Sequence, residues 1–228
     1  MLRNILITLL LASPLVAQVT GTVRFDGEPP PRQEIDAGGV PECHALHVDP
    51  ILDDQLIIAE SGAVANVVVT ITLPDGKSIK PATPATRPAV LDQIGCVYTP
   101  HVLVAKVGQK LVIRNSDGFA HIVNGITDKN QGFNFTQDGN SEGDDVGTFI
   151  SPEFFRVKCA VHPWMLGWVV VVDHPYSDLT GEAGTYNISG LPDGQYVLHA
   201  WHEKLGELEQ PIEMRDGKAE ADLTYRAE

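Results

Sequence analysis

The chain has 228 residues, of which 43% are hydrophobic, and its formal net charge is −14. This length allows one large β domain or two small ones, and the ordinary hydrophobic fraction argues against wholesale disorder. The acidic charge argues against a nucleic-acid partner, because binding to nucleic acid is driven by Lys and Arg that release counterions. An acidic surface instead aids solubility and attracts positively charged proteins.

Residues 1–17 have the pattern of a secretory signal peptide. Arg3 supplies the positive charge, Ile5–Val16 is a short apolar stretch, and Ala17 is the small residue that signal peptidase requires. The stretch is too short to span a bilayer as a helix, and Ser13 and Pro14 interrupt it. We therefore expect a periplasmic or secreted protein with no stable membrane span after signal removal. An uncleaved anchor is the alternative.

Most of the remaining chain has the alternation and the turn residues of β-strands. Ala63–Leu73 is a β-branched run that Pro74-Asp75-Gly76 closes. Ile79–Val90 is rich in Pro, Ala and Thr and predicts a linker or a long surface loop, and the acidic segment Gln137–Asp145 predicts a solvated loop. Further strands are predicted at Val19–Phe25, His101–Val107, Lys110–Asn115, Phe154–Cys159 and Gly167–Val172.

The segment after Asp178 is richer in turn residues. Gly181–Ala200 reads as two short strands joined by a tight Gly/Pro/Asp turn, which predicts a hairpin, and Pro211–Met214 and Ala219–Tyr225 could add two strands. Helical periodicity is limited to a short turn near Pro41–His47. The predicted fold class is therefore all-β, a sandwich of Greek-key type.

The most informative motif is C-x2-H-x2-M, formed by Cys159, His162 and Met165 on one loop between two strands. A soft thiolate suits Cu(I), imidazole suits Cu(II), and a thioether is a weak axial ligand, whereas structural zinc prefers four strong ligands. His121 follows a strand and a polar turn, and it could supply a second imidazole; a purely structural histidine is the alternative. We predict one mononuclear type 1 copper ion bound by His121, Cys159, His162 and Met165, and no catalytic residue.

Three cysteines are an odd number for an exported protein. If Cys159 binds metal, Cys43 and Cys96 remain and could form a disulfide in an oxidising compartment; two free buried thiols are the alternative. Cys43-His44-Ala-Leu-His47 has the composition of a metal site, but a disulfide cysteine beside surface histidines is favoured. Covalent haem is excluded because the sequence has no C-x-x-C-H motif.

Val97–Val172 resembles a cupredoxin, and its ligand loop, CAVHPWMLG, is similar to the short loop of the amicyanin type. The resemblance implies a β-sandwich with copper near one end and electron transfer with a redox protein, such as a cytochrome, a dehydrogenase or an oxidase. It also implies that the edge of His162 meets solvent and that Pro163 and Trp164 form an apolar docking patch. A Trp164 that only packs in the core is the alternative.

The sequence departs from the cupredoxin pattern at Ile122, where the family has Asn or a similar polar residue after the first His. That polar residue ties the copper loops together and tunes the redox potential, so the departure affects the expected potential and not the ligand set. Asn115 or Asn124 could take over its role.

The flanking segments resemble a carboxypeptidase regulatory-like sandwich of the transthyretin type, on the basis of Val19–Pro31, Ala65–Ile71 and Gly184–Gly206. These segments lie on both sides of the copper motif. We therefore expect the cupredoxin to be inserted into the second small sandwich, with residues 18–90 and 174–228 forming that sandwich and 91–173 the insert. A plain two-domain order, with Val19–Val90 as an N-terminal arm, is the alternative.

The leading functional hypothesis is an exported blue-copper protein that transfers single electrons. A copper storage or delivery module is the runner-up, and an adhesion or carbohydrate-binding β module is a third possibility. An enzyme is not expected, because multicopper oxidases and copper nitrite reductases need additional histidine clusters, and the sequence contains no H-x-H pair.

Overall fold

The computed structural model describes residues 17–227 apart from positions 38, 78, 80, 82 and 84. The predicted signal peptide, residues 1–17, therefore lies outside the described residues except for Ala17. Strands make up most of the regular structure, which confirms the all-β prediction. The strands are β1 (Gln18–Asp26), β2 (Val68–Thr72), β3 (Ala89–Ile94), β4 (Val97–Thr99), β5 (Val102–Lys106), β6 (Lys110–Asn115), β7 (His121–Ile126), β8 (Phe133–Gln137), β9 (Ser141–Thr148), β10 (Glu153–Cys159), β11 (Leu166–Val172), β12 (Ser177–Leu179), β13 (Thr185–Ser189), β14 (Gly194–His202), β15 (Gly206–Met214), β16 (Lys218–Glu220) and β17 (Leu223–Arg226).

A single short helix, α1 (Pro41–His44), occurs in the part of the chain that the structure describes. It falls within the predicted turn near Pro41–His47. No described helix has the length and apolar character needed to cross a membrane.

The strands form four sheets that pack as two sandwiches. The central sandwich consists of the sheets β5-β11-β10-β7-β8 and β4-β3-β6-β9. The outer sandwich consists of the sheet β13-β1-β16, in which β17 also pairs with β1, and the sheet β12-β2-β14-β15. Each sandwich encloses its own cluster of buried apolar side chains.

The segment that forms the central sandwich is flanked in the sequence by strands that pair with each other in the outer sandwich. β2 pairs antiparallel with β12 and β14, so that Val69 lies opposite both Asp178 and Ala200. Likewise β1 pairs with β13, β16 and β17. The insertion hypothesis requires this kind of pairing, because it joins segments from both sides of the copper motif. β3 begins at Ala89, one residue before the predicted boundary at residue 90, and belongs to the central sandwich.

The burial pattern of two neighbouring strands places the C-x2-H-x2-M motif. Alternate residues of β10 are buried, which directs Phe155, Val157 and Cys159 into the central core. In β11 the consecutive residues Val169–Val172 are all buried, because one face packs in the central core and the other against the outer sandwich. A continuous apolar run is typical of a strand that is covered on both faces.

The predicted hairpin within Gly181–Ala200 is wrong. β13 pairs with β1 in one sheet, whereas β14 pairs with β2 and β15 in the other, so the turn at residues 190–193 crosses between sheets. The hairpin is instead β14–β15, which turns at residues 203–205. Turn residues specify a chain reversal, but the burial of apolar faces decides which strands then pair.

The prediction of a solvated loop at Gln137–Asp145 is wrong for most of its length. Gln137 ends β8, and Ser141 begins β9, which pairs antiparallel with β6 through two register irregularities. β9 lies at the edge of its sheet and most of its residues are exposed. An exposed edge strand carries polar and charged side chains, which resemble a loop in composition.

The two sandwiches meet at a small seam. Val68 of the outer sandwich packs there with Val102, Val170 and Val172 of the central one. The buried side chains of His101 and Glu203 are hydrogen-bonded to each other across the seam. The other carboxylate oxygen of Glu203 accepts a 2.9 Å bond from Trp168 Nε1. The seam therefore combines apolar packing with buried polar groups that have hydrogen-bond partners.

Candidate metal site

Pairing of β7 with β10 brings the first two predicted ligands to one end of the central sandwich. Cys159, the last residue of β10, lies opposite Val123 of β7, two residues from His121 at the start of that strand. The loop that follows closes on itself, because Met165 N donates to His162 O at 2.9 Å and Cys159 N to Met165 O at 3.2 Å. This tight turn holds all three loop residues at the same end of the sheet.

The three strong candidate ligands converge on one point. His121 Nδ1 lies 3.0 Å from His162 Nδ1, and Cys159 Sγ lies 3.4 Å from His162 Nδ1 and 3.7 Å from His121 Nδ1. His121, Cys159 and His162 are 0%, 4% and 5% exposed. Met165 is also buried and belongs to the same core cluster as Cys159.

These atoms fit one metal ion. Metal–nitrogen bonds of about 2.0–2.1 Å and metal–sulfur bonds of about 2.3 Å would separate the ligands of a trigonal site by roughly 3.5–3.8 Å. The observed separations of 3.0–3.7 Å are close to that range. Two imidazoles and a thiolate, with a thioether in the same loop, are the donor set of a blue-copper centre.

Asp117 is a site residue that the sequence reasoning missed. Its Oδ2 lies 2.9 Å from His121 Nε2 and accepts a 2.9 Å bond from Cys96 N, and its Oδ1 accepts a 2.6 Å bond from Gly95 N. A carboxylate bonded to Nε2 fixes the orientation of the histidine ring and leaves Nδ1 free to bind a metal ion. A carboxylate four residues before the candidate ligand, in the polar turn, was the available signal.

Buried charges and hydrogen bonds set the protonation of the Asp117–His121 pair in the metal-free protein. Burial opposes ionisation of Asp117, but the bonds from His121 and from the amides of Cys96 and Gly95 hold the pKa of the carboxyl below 3.8. Burial likewise opposes protonation of His121, but its hydrogen bonds with Asp117 and Cys159 raise its pKa to about 9. The two groups thus form a buried ion pair when no metal is bound.

The other two candidate ligands, Cys159 and His162, tend towards the forms that bind metal. Burial disfavours the Cys159 thiolate, but the hydrogen bond with His121 and those from the amides of Val161, Ile122 and His162 lower the pKa of the thiol. Burial, and then the nearby positive charge of His121, lowers the pKa of His162. A thiolate and a neutral imidazole are the forms that bind a metal ion.

Ile122 lacks the polar side chain that cupredoxins have at this position, but its backbone groups still form hydrogen bonds there. The Ile122 amide donates to the Cys159 sulfur, and Ile122 O accepts a 2.9 Å bond from Ala160 N. Asn115 ties the preceding turn together, since its Nδ2 donates to Phe119 O at 2.9 Å and to Asp138 O at 3.0 Å. The loops around His121 are therefore connected without an Asn after this histidine.

His162, whose edge the cupredoxin resemblance places at the solvent, is 5% exposed and therefore largely covered. Cys43 and Cys96 form a disulfide, and both of its sulfurs lie within 4.8 Å of a His162 ring nitrogen. The rings of Trp164 and Phe119 lie 5.4 and 6.3 Å from the His162 ring, centroid to centroid. The covering cysteine, Cys43, lies 119 residues before His162 in the sequence.

The two predicted docking residues differ in their surroundings. Pro163 is exposed, together with the neighbouring Val161. Trp164 is half-buried, packs against the central core and donates from Nε1 to Cys96 O at 3.0 Å. Trp164 therefore helps to hold the disulfide turn against the ligand loop.

No family model and no curated protein matches the chain. Among solved structures, amicyanin from Paracoccus versutus is 22% identical, with a TM-score of 0.32, over 45% of this chain and 98% of its own. A purple cupredoxin from Nitrosopumilus maritimus is 21% identical, with a TM-score of 0.32, over 37% of this chain and 99% of its own.

A copper-containing nitrite reductase from Thermus scotoductus SA-01 is 23% identical, with a TM-score of 0.35, over 41% of this chain. The present chain covers only 25% of that protein's length. Because all three TM-scores are below 0.5, the function proposed below is based on the residues and contacts of this chain.

Proposed function

We propose that the protein is an exported mononuclear blue-copper protein that transfers single electrons between redox partners. The convergence of His121 Nδ1, His162 Nδ1 and Cys159 Sγ within 3.0–3.7 Å of one another carries this proposal. A type 1 copper ion bound there supplies a one-electron couple between Cu(I) and Cu(II). Met165, from the same loop, is proposed as the weak axial ligand.

The surroundings of the ligands support electron transfer over catalysis on a bound substrate. Asp117 fixes the His121 ring, and backbone amides hold the Cys159 sulfur, so the ligands are restrained before metal binds. Buried, restrained ligands need little rearrangement when an electron arrives or leaves. The covered His162 also leaves little room for a substrate to reach the site. We therefore propose that the protein has no enzymatic activity of its own.

The partner proposed is a redox protein, such as a cytochrome, a dehydrogenase or an oxidase. The net charge of −14 favours a partner with a positively charged surface, because complementary charge accelerates encounter. Pro163, exposed beside Val161, is the proposed apolar contact, with Trp164 behind it. A periplasmic or secreted location agrees with a disulfide between Cys43 and Cys96.

The domain organisation proposed is a cupredoxin, residues 91–173, inserted into a carboxypeptidase regulatory-like sandwich formed by residues 18–90 and 174–228. Pairing of β2 with β14 supports the insertion. The regulatory-like sandwich then serves as the support of the copper module.

Copper storage or delivery is a second candidate, and the burial of the candidate ligands favours storage over delivery, since a covered ion exchanges slowly. The two functions differ in a measurable way. A carrier exchanges electrons reversibly with a small redox mediator while it retains its copper, whereas a delivery protein passes the ion to an acceptor.

The proposal is tested by the visible absorption spectrum of the mature chain after addition of Cu(II). An intense blue band is expected in the wild type, and Cys159→Ser should abolish it because the band arises from the thiolate–copper bond. Val161→Ser is the matched control, since it introduces the same residue at an exposed position in the same loop, and it should keep the band. A wild-type protein without the band would contradict the proposal.

A further inference from the structure

The segment between β1 and β2 folds back over the ligand end of the central sandwich. We call residues 33–53, apart from position 38, the strap. Its two ends pair with each other, because Ile35 N donates to Ile51 O at 2.8 Å and Asp53 N to Gln33 O at 2.9 Å. The strap is therefore a closed loop whose middle carries α1 and Cys43.

The middle of the strap is fastened to the central sandwich by three kinds of contact. Cys43 is joined to Cys96 by the disulfide, and Cys43 and Ala37 are buried in the same core cluster as Cys159. His47 Nε2 lies 2.7 Å from the carbonyl oxygen of Gly95, the residue before Cys96. The apolar contacts supply burial, and the disulfide supplies a bond that thermal motion does not break.

The fastening point is also the point of contact with the proposed ligands. Both disulfide sulfurs lie within 4.8 Å of a His162 ring nitrogen, and the Cys96 sulfur lies within 4.8 Å of a ring nitrogen of His121. His162 is 5% exposed although its neighbours Val161 and Pro163 are exposed. The ligand loop itself thus reaches the surface, while His162 lies beneath the disulfide.

We propose that the strap, held by the Cys43–Cys96 disulfide, decides what reaches the metal site. While it is closed, it slows the access of solutes and external ligands to His162 and Cys159, and it slows the entry and exit of the metal ion. Electrons still cross, because electron transfer needs proximity and not contact with solvent. The identity of the metal rests on the proposed function, but the closure of the site does not.

The closure is tested on the metal-free protein by the rate at which iodoacetamide alkylates Cys159 under native conditions. Cys159 is the one cysteine outside the disulfide, and in the variant Cys43→Ser/Cys96→Ser it is the one cysteine left in the chain. We expect alkylation at least tenfold faster in this variant. Cys159 would then be reached by a small solute as soon as the strap is released.

The matched control separates release of the strap from a general loss of stability. Val69→Ala truncates a fully buried residue in the core of the outer sandwich and leaves the strap intact. Denaturant is added to the less destabilised variant until both have the same free energy of unfolding. Equal alkylation rates in the two variants at that point would overturn the proposal.

A second variant keeps the test decisive if the double variant does not fold. His47→Ala leaves the disulfide in place and removes the contact of the His47 ring with Gly95 O. We expect Cys159 alkylation at least threefold faster than in the wild type, and an unchanged rate would overturn the proposal.

Copper-loaded protein gives an independent reading. Transfer of Cu(I) to a strong chelator should be at least tenfold faster from the double variant than from the wild type. Absence of a blue band in the wild type would contradict the proposed function and leave the alkylation result standing. A blue band with equal alkylation and transfer rates in wild type and variant would overturn the strap alone.

Discussion

Asp117 is not one of the proposed ligands, but it holds one of them, His121, through a hydrogen bond. Its two oxygens meet three N–H groups, those of His121, Gly95 and Cys96. It therefore connects the ring of a candidate ligand to the backbone that carries the disulfide. A buried carboxylate with this many partners is costly to remove, because the partners lose their acceptor without access to water.

Replacing Asp117 by Asn should lower the free energy of unfolding of the metal-free protein by about 1–3 kcal/mol near pH 6. The Asp117 contribution is complete above its unfolded pKa of 3.8 and is lost as the pH falls further, since its folded pKa is lower. The His121 contribution is complete below 6.5 and is lost as the pH rises through its folded pKa of about 9. The difference between wild type and variant should therefore be largest between those limits.

Urea unfolding at a series of pH values measures this difference. Asp138→Asn is the control, because it makes the same change at an exposed position in the neighbouring turn. The ion-pair interpretation is wrong if the difference between wild type and Asp117→Asn does not vary with pH. We also expect a 10–100-fold loss of copper affinity, on the order found for residues that orient metal ligands.

At the level of elements, the turn between β8 and β9 fixes the turn that precedes His121. Asn140 N donates to Asp117 O at 2.8 Å, and the backbone of Gly139 lies directly against Gly118 and Phe119. A Cβ at position 139 would lie 2.4 Å from Gly118 C and Phe119 N, which is too close for any side chain. Gly139 thus permits the close approach of two turns on which the position of His121 depends.

Gly139→Ala should destabilise the protein by about 1–3 kcal/mol, because the backbone of the facing turn must shift. We expect copper affinity to fall with it, since that turn leads into His121. Gly118→Ala is the control, because a Cβ there meets open space, and it should change stability by less than about 0.5 kcal/mol. Chemical unfolding and copper titration measure both effects, and equal behaviour of the two variants would refute the close-packing argument.

For the molecule as a whole, the seam fixes how the two sandwiches are joined. Glu203 of the outer sandwich is the acceptor for His101 and Trp168 of the central one. Trp201 packs edge-on against Trp168, with ring centroids 4.9 Å apart. Polar bonds and aromatic packing therefore meet at the same point of the seam, at Trp168 near the start of β11.

Removing the acceptor should weaken the seam and leave the metal ligands in place. Glu203→Ala leaves the buried His101 and the partly buried Trp168 without this acceptor, and we expect a loss of about 2–4 kcal/mol in the free energy of unfolding. The copper-loaded variant should keep the wild-type visible spectrum. Glu207→Ala, an exposed position on β15, is the control and should have little effect. A stability unchanged by Glu203→Ala would show that the seam network contributes nothing.

Features that depend on neighbouring residues were predictable from the sequence. The all-β fold follows from strand alternation and turn residues, and the Cys159, His162 and Met165 cluster follows from a short loop that cannot separate them. Local composition failed where pairing decides the outcome, as at the edge strand β9 and at the turn that leads from β13 to β14.

The tertiary structure alone decided the features that join distant segments. It placed Asp117 on His121 and on the disulfide turn, and it placed Cys43 over His162. These contacts depend on how the sheets stack and where the strap crosses them. No periodicity in the sequence encodes which distant segments meet. The sequence by itself therefore determined the candidate donor atoms, whereas packing of strand ends and strap determined how those atoms are oriented, charged and covered.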